Sequence, residues 1–82
     1  FGMNLEVHTN ANTIIDAANL HVIASIANTE YFEQLVPEGL FTLGGVEKIH
    51  IDREGFAHVP AGPGIGARID WDLVERYKVA EI

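Results

Sequence analysis

Residues 14–27 form a stretch that is apolar around nearly its whole helical circumference, and this limits what the chain can fold into. At about 100° per residue, Ile15, Val22 and Ile26 share one side, while Leu20, Ala24 and Ala27 occupy another. Asp16, Asn19, His21 and Ser25 do not gather into one polar stripe. Such a helix is covered on more than one face. A chain of 82 residues is one domain at most, or a piece of one, with a thin core. The helix therefore expects neighbours beyond this sequence, and a start at Phe1–Gly2 on the edge of a strand reads as cut from something longer.

The flanks of the helix tell what kind of fold it belongs to. Residues 3–8 alternate apolar and polar and stop at His8, the pattern of a strand with one packed face. A loop at residues 9–12 follows, with Asn10 and Asn12 suited to turns and helix starts. After the helix, residues 30–33 read as a second strand with Glu33 near its end. Strand, loop, helix, strand is the α/β order, and the carboxyl ends of parallel strands are where such folds build active sites.

Beyond Glu33 the texture changes. Pro37, Glu38, Gly39 and the Gly44–Gly45 pair mark turns. Residues 46–51 and 56–59 are short strands joined through Asp52, Arg53, Glu54 and Gly55, a hairpin in which Ile51 is expected opposite Phe56. Residues 60–66 contain Pro60, Gly62, Pro63, Gly64 and Gly66 and can only be tight turns. A terminal helix is expected over residues 71–80, capped by Asp70, with Asp72 and Glu75 in its first turns.

The formal charge of −7, with five Lys and Arg against twelve Asp and Glu, argues against nucleic acid. The acidic groups would repel an anionic substrate unless a metal ion or local cations offset them. There is no cysteine, hence no disulfide framework or thiolate metal site, which suits a cytoplasmic chain. No apolar run is long enough to cross a bilayer and nothing resembles a secretion signal.

The strand ending in Leu5–Glu6–Val7–His8–Thr9, the helix with Ala17–Ala18–Asn19–Leu20–His21, the strand Glu30–Tyr31–Phe32–Glu33 and the tail of residues 59–66 before Ile69–Asp70 occur in a telling order. Together they resemble the C-terminal portion of the mandelate racemase / muconate lactonizing enzyme branch of the enolase superfamily. The resemblance implies an α/β fold: the C-terminal part of a modified (β/α)₇β TIM-type barrel plus the segment that returns to the capping domain. Residues 1–36 would then be the last barrel strands with their helix, and residues 37–82 the segment completing the cap. It also implies a magnesium-dependent enzyme that abstracts the proton α to a carboxylate, as a sugar-acid dehydratase or hydroxy-acid racemase. The Mg²⁺ ligands are expected outside this segment, which alone would be inactive. The implied partners are a small carboxylate substrate, the rest of the barrel and cap, and further copies of the same chain.

His8 is the leading catalytic candidate. Its parity is that of Asn4 and Glu6, so if Met3, Leu5 and Val7 pack outward its ring faces the barrel mouth. Imidazole titrates near neutrality and serves there as base or acid with little tuning. By resemblance it matches the strand-seven histidine; the plain alternative is a loop histidine with a local hydrogen bond. Glu33 matches the strand-eight glutamate, whose carboxyl, kept protonated by an apolar site, could donate to an enolate. Its alternative is a surface carboxylate at a strand end. Asn10 and Asn12 are placed either to contact substrate or to cap the helix. Glu6 reads as structural, Glu30 as solvated and His21 as a satisfied interface histidine. With Ile51 opposite Phe56, His50 and His58 fall on opposite faces of the hairpin, which argues against a zinc site. A competing function is a non-catalytic interaction module that folds only against a partner chain.

Overall fold

Among the described residues three helices punctuate a chain that is otherwise extended or turning: α1 (Thr13–Ser25), α2 (Glu38–Phe41) and α3 (Trp71–Tyr77). The computed structural model describes residues 1–9 and 12–81, with Glu38 described by its backbone alone.

Helix α1 starts where Asn12 caps it: Asn12 Oδ1 accepts from the Ile14 and Ile15 amides at 3.1 and 3.4 Å. That satisfies two of the amides a helix start leaves without an intrahelical acceptor. It ends two residues earlier than the apolar run, with Ser25 Oγ donating to the Val22 carbonyl at 2.7 Å. The buried side of α1 is the Thr13, Ala17, Leu20 face, while Ile15 and Val22 remain exposed. Ala17 and Leu20 meet Ile49 in the centre of the core, and Phe32, Ala57, Ile65 and Ala67 pack around them. The core thus draws on both sides of residue 36. It is small: the accessible surface is 6429 Å², against about 4,850 Å² for a compact domain of 9.0 kDa.

Residues 3–9 and 28–33 run side by side in the same direction, as two parallel strands would, but no regular ladder forms among the described residues. One backbone bond joins them, Leu5 N–H to the Asn28 carbonyl at 2.8 Å. Elsewhere carboxylates take the amides that a ladder would give to carbonyls. Glu6 Oε2 accepts from Tyr31 N–H at 3.0 Å, and Glu33 Oε2 accepts from Thr9 N–H at 2.7 Å. The two expected strands are therefore extended segments stitched by side chains.

In the second half, the turn forms where expected but the register differs. Ile51 pairs with Ala57, not Phe56. Gly55, at φ 91, follows the turn in the left-handed region and takes up one extra residue in its arm. Carried one pair further, this register sets His50 opposite His58 and not on the other face. A second isolated bridge joins Gly45 to Ile69. There a Cβ would sit 2.7 Å from the buried Thr13 side chain, so glycine is what lets this segment lie on the start of α1. The single turn of α2 was not legible in a stretch rich in turn residues.

Helix α3 has the expected cap, Asp70 Oδ1 accepting from Leu73 N–H at 2.9 Å. It stops at Tyr77 and not residue 80. None of its described residues is buried, so there is no packed face to hold another turn.

Candidate active site at the end of the first extended segment

The alternation of residues 3–8 survives as a row of polar side chains reaching the neighbouring segment. Asn4 Nδ2 donates to Glu30 Oε1 at 3.4 Å. Glu6 Oε2 accepts from Thr29 Oγ1 at 3.1 Å as well as from Tyr31 N–H, so Glu6 holds the two segments together. His8, next in the row, brings Nδ1 to 2.8 Å from Glu33 Oε2. The same Glu33 oxygen also takes the Thr9 amide. His8 and Glu33, far apart in sequence, are thus one unit.

The pair is open to ligands, with 73% of the His8 side chain and 42% of the Glu33 side chain accessible. The Thr9 amide holds the Glu33 carboxyl below its ordinary value, His8 adds to this, and partial desolvation opposes it. The bonds from Thr9 and His8 thus favour the charged carboxylate over a protonated, donating carboxyl. The carboxylate oxygen can only accept, so Nδ1 of His8 carries a proton and Nε2 is left as the basic nitrogen.

Three contacts that the residue pattern did not single out support this unit. Thr9 contributes its backbone amide, which no side-chain pattern reveals. Its hydroxyl, on a residue only 3% exposed, donates to Asp16 Oδ1 at 2.6 Å. Asn19 Nδ2 donates to the His8 carbonyl at 3.3 Å. The one available signal was the spacing of Asp16 and Asn19, which puts both on one side of α1.

Asn12 is engaged in capping α1, and Asn10 lies outside the described residues. His21 Nε2 donates to the Ile65 carbonyl at 3.1 Å and ties α1 to the Gly/Pro turns. A cavity of about 380 Å³ between the hairpin and those turns is lined by His50, His58, Glu47 and Arg68 among others. Neither His8 nor Glu33 lines it. Each of its histidines has its own partner: His50 Nδ1 lies 3.2 Å from the Lys48 carbonyl, and His58 Nε2 lies 2.7 Å from Asp52 Oδ2. Among the described residues no group of three His, Cys, Asp or Glu side chains could hold a metal ion. No helix among the described residues is long and apolar enough to cross a membrane.

Asp52 organises the hairpin turn. Its Oδ1 accepts from the Glu54 and Phe56 amides at 2.8 and 2.9 Å. Those bonds, the Phe56 amide foremost and His58 next, lower its pKa from 3.8 to about 2. The folded value lies below the unfolded one, so the turn is fully stabilised above the ordinary value and loses that stabilisation as pH falls through about 2. The amide chemical shifts of Glu54 and Phe56 should titrate with a midpoint near 2; a midpoint at 3.8 would contradict the bonding described.

An extended run ending in histidine, a covering helix and a second run ending in glutamate thus lie side by side, the two runs in one direction. The family model described as enolase C-terminal domain-like matches residues 1–73. A crystal structure of a proposed mandelate racemase/muconate lactonizing enzyme from Pseudovibrio sp. is similar, with 41% sequence identity and a TM-score of 0.87. That likeness covers 95% of this chain and 21% of the other, so the chain spans about a fifth of that protein's length. No curated protein matches the chain. The chain belongs to the mandelate racemase/muconate lactonizing enzyme family of the enolase superfamily.

Proposed function

We propose that this chain is the C-terminal part of an enolase-superfamily enzyme that moves the proton α to a carboxylate, with His8 as the proton-transfer group and Glu33 as its partner. The whole enzyme would be an acid-sugar dehydratase or a hydroxy-acid racemase. The observation that supports this is the contact of 2.8 Å between His8 Nδ1 and the Glu33 carboxylate at the open end of the two extended segments. A carboxylate on Nδ1 fixes the imidazole tautomer, presents Nε2 as base, and steadies the imidazolium formed when the proton arrives. The same ring, once protonated, can return the proton to the face it covers or hand it to a departing hydroxyl, and delivery to the opposite face in a racemase would fall to a second group outside this segment. Asn10 and Asn12, which follow His8 in the sequence, belong to this reading as contacts to substrate, Asn12 through its Nδ2 because its Oδ1 caps α1.

Magnesium is the metal that family membership suggests. Its ligands are assigned, as the family resemblance implies, to the barrel strands outside this segment, and the roles of His8 and Glu33 do not depend on where it sits. The reading extends to a cytoplasmic, homo-oligomeric enzyme.

A second reading, a non-catalytic module that folds against a partner, is favoured by the exposure of Met3, Leu5, Ile15 and Val22. One experiment separates the two. The full-length protein is incubated in deuterium oxide with a panel of α-hydroxy and sugar acids, and substrate α-protons are followed by NMR. Wash-out of the α-proton from at least one acid is the expected result. No exchange from any of them, with magnesium supplied, would favour the partner-binding module.

A further inference from the structure

We propose that Asp16, acting through the Thr9 hydroxyl, and Asn19, bonded to the His8 carbonyl, are positioning residues on α1 that clamp the His8–Thr9 peptide and so hold the Glu33 carboxylate against the His8 ring. The inference rests on the roles given above to His8 and Glu33, but its geometry stands apart from them.

The His8–Thr9 peptide is held from two sides. On the helix side, Asn19 Nδ2 donates to the His8 carbonyl at 3.3 Å. Three residues earlier on the same side of α1, Asp16 Oδ1 accepts from the Thr9 hydroxyl at 2.6 Å. On the other side, the Thr9 amide donates to Glu33 Oε2 at 2.7 Å. That oxygen also receives His8 Nδ1 at 2.8 Å. One carboxylate oxygen is therefore placed by a backbone amide and a ring that belong to adjacent residues. Sliding their shared peptide along α1 would lengthen both bonds together.

Thr9 suits this task better than it suits mere packing. It is 3% exposed, and a hydroxyl buried that deeply needs a partner. A residue serving only to fill space would tolerate valine, which has the same shape without the hydroxyl. Asp16 also stands in the first turn of α1, where a negative charge is favourable whatever it touches. That alternative role makes no demand on Thr9, so the two roles predict different behaviour in paired substitutions.

The test uses the full-length protein with Thr9→Val, Thr9→Ser, Asp16→Ala and the double variant Thr9→Val/Asp16→Ala. The first readout is the titration of the ¹³C-labelled Glu33 carboxyl, which requires no substrate. In the wild type it should lie below the ordinary 4.5. It should rise toward that value in Thr9→Val and in Asp16→Ala, and stay at the wild-type position in Thr9→Ser. The double variant should shift no further than either single one. The second readout is the exchange reaction: Thr9→Val should lower kcat by about tenfold to a hundredfold, the scale of a small misplacement of reacting groups. KM should change little, and Thr9→Ser should restore kcat.

A Glu33 titration that does not move in Thr9→Val overturns the clamp, as do additive shifts in the double variant. If the wild type catalyses no exchange while the Glu33 shifts appear as described, the clamp stands and the proposed reaction falls.

Discussion

Replacement of His8 by asparagine in the full-length protein is expected to lower turnover by about 10²- to 10⁴-fold, the range a positioned proton-transfer group supplies. Asparagine keeps a polar side chain of similar reach, and its amide can still donate to Glu33 Oε2, now 2.8 Å from the ring nitrogen. It has no basic nitrogen that takes up a proton near neutrality. Substrate affinity should change by much less than turnover, because the loss falls on the transition state. Wash-out of the substrate α-proton into deuterium oxide should vanish in parallel with turnover if His8 is the base. If exchange persists while elimination stops, His8 is instead the acid toward the leaving hydroxyl, which separates the two roles within one variant. Unchanged exchange and unchanged turnover together would remove His8 from the mechanism.

Glu33→Gln should act differently. The amide oxygen can still accept from Thr9 N–H, yet the negative charge that stabilises an imidazolium is gone. The variant should lose less activity than His8→Asn, with the change concentrated in the pH dependence of kcat. This ordering follows from bonds that favour a carboxylate at Glu33, where the family resemblance implied a protonated acid. The reason for that difference is local. The group that chiefly lowers the Glu33 pKa is the backbone amide of Thr9, and backbone amides leave no mark on a sequence.

The same limit explains the other departures. Period-two alternation identified the side chains that cross to the neighbouring segment, and Asn4, Glu6 and His8 all do so. It could not show that Glu6 and Glu33 would intercept the Tyr31 and Thr9 amides and replace a ladder with carboxylate bonds. In the hairpin, the turn residues were legible because Asp52 and Gly55 have strong local preferences. The register was not, since a glycine in the left-handed region shifts pairing by one without changing composition. For α1, hydrophobicity alone gave no preferred face. The face buried here is the one with the small Ala17, which admits Ile49 and its neighbours closely. The order of segments carried the family, because that order depends on topology more than on any single contact.

The largest expected effect on stability comes from the Gly/Pro turns, in Gly66→Ala. Gly66 has φ +69, in the region where a side chain costs about 1 kcal/mol or more. Its Cβ would also lie 2.7 Å from the Pro60 carbonyl oxygen and 2.9 Å from the Pro60 carbonyl carbon. Both are backbone atoms and cannot swing away. Relief would require moving Pro60 or the Ile65–Gly66 peptide. The Ile65 carbonyl is bonded to His21 on α1, and Ile65 packs against the core. The strain therefore spreads into the core, and a total loss of about 2–4 kcal/mol is expected from backbone strain plus overpacking. Gly64 provides the control. Its φ of +64 is nearly the same, but a Cβ there meets nothing within 4 Å. Gly64→Ala should therefore lose about 1 kcal/mol from backbone strain alone. Chemical denaturation of the full-length variants gives the difference, which isolates the contact with Pro60 from the cost of the left-handed conformation. Equal losses in the two variants would mean that the turn relaxes freely, and that the His21–Ile65 tie does not hold it against α1.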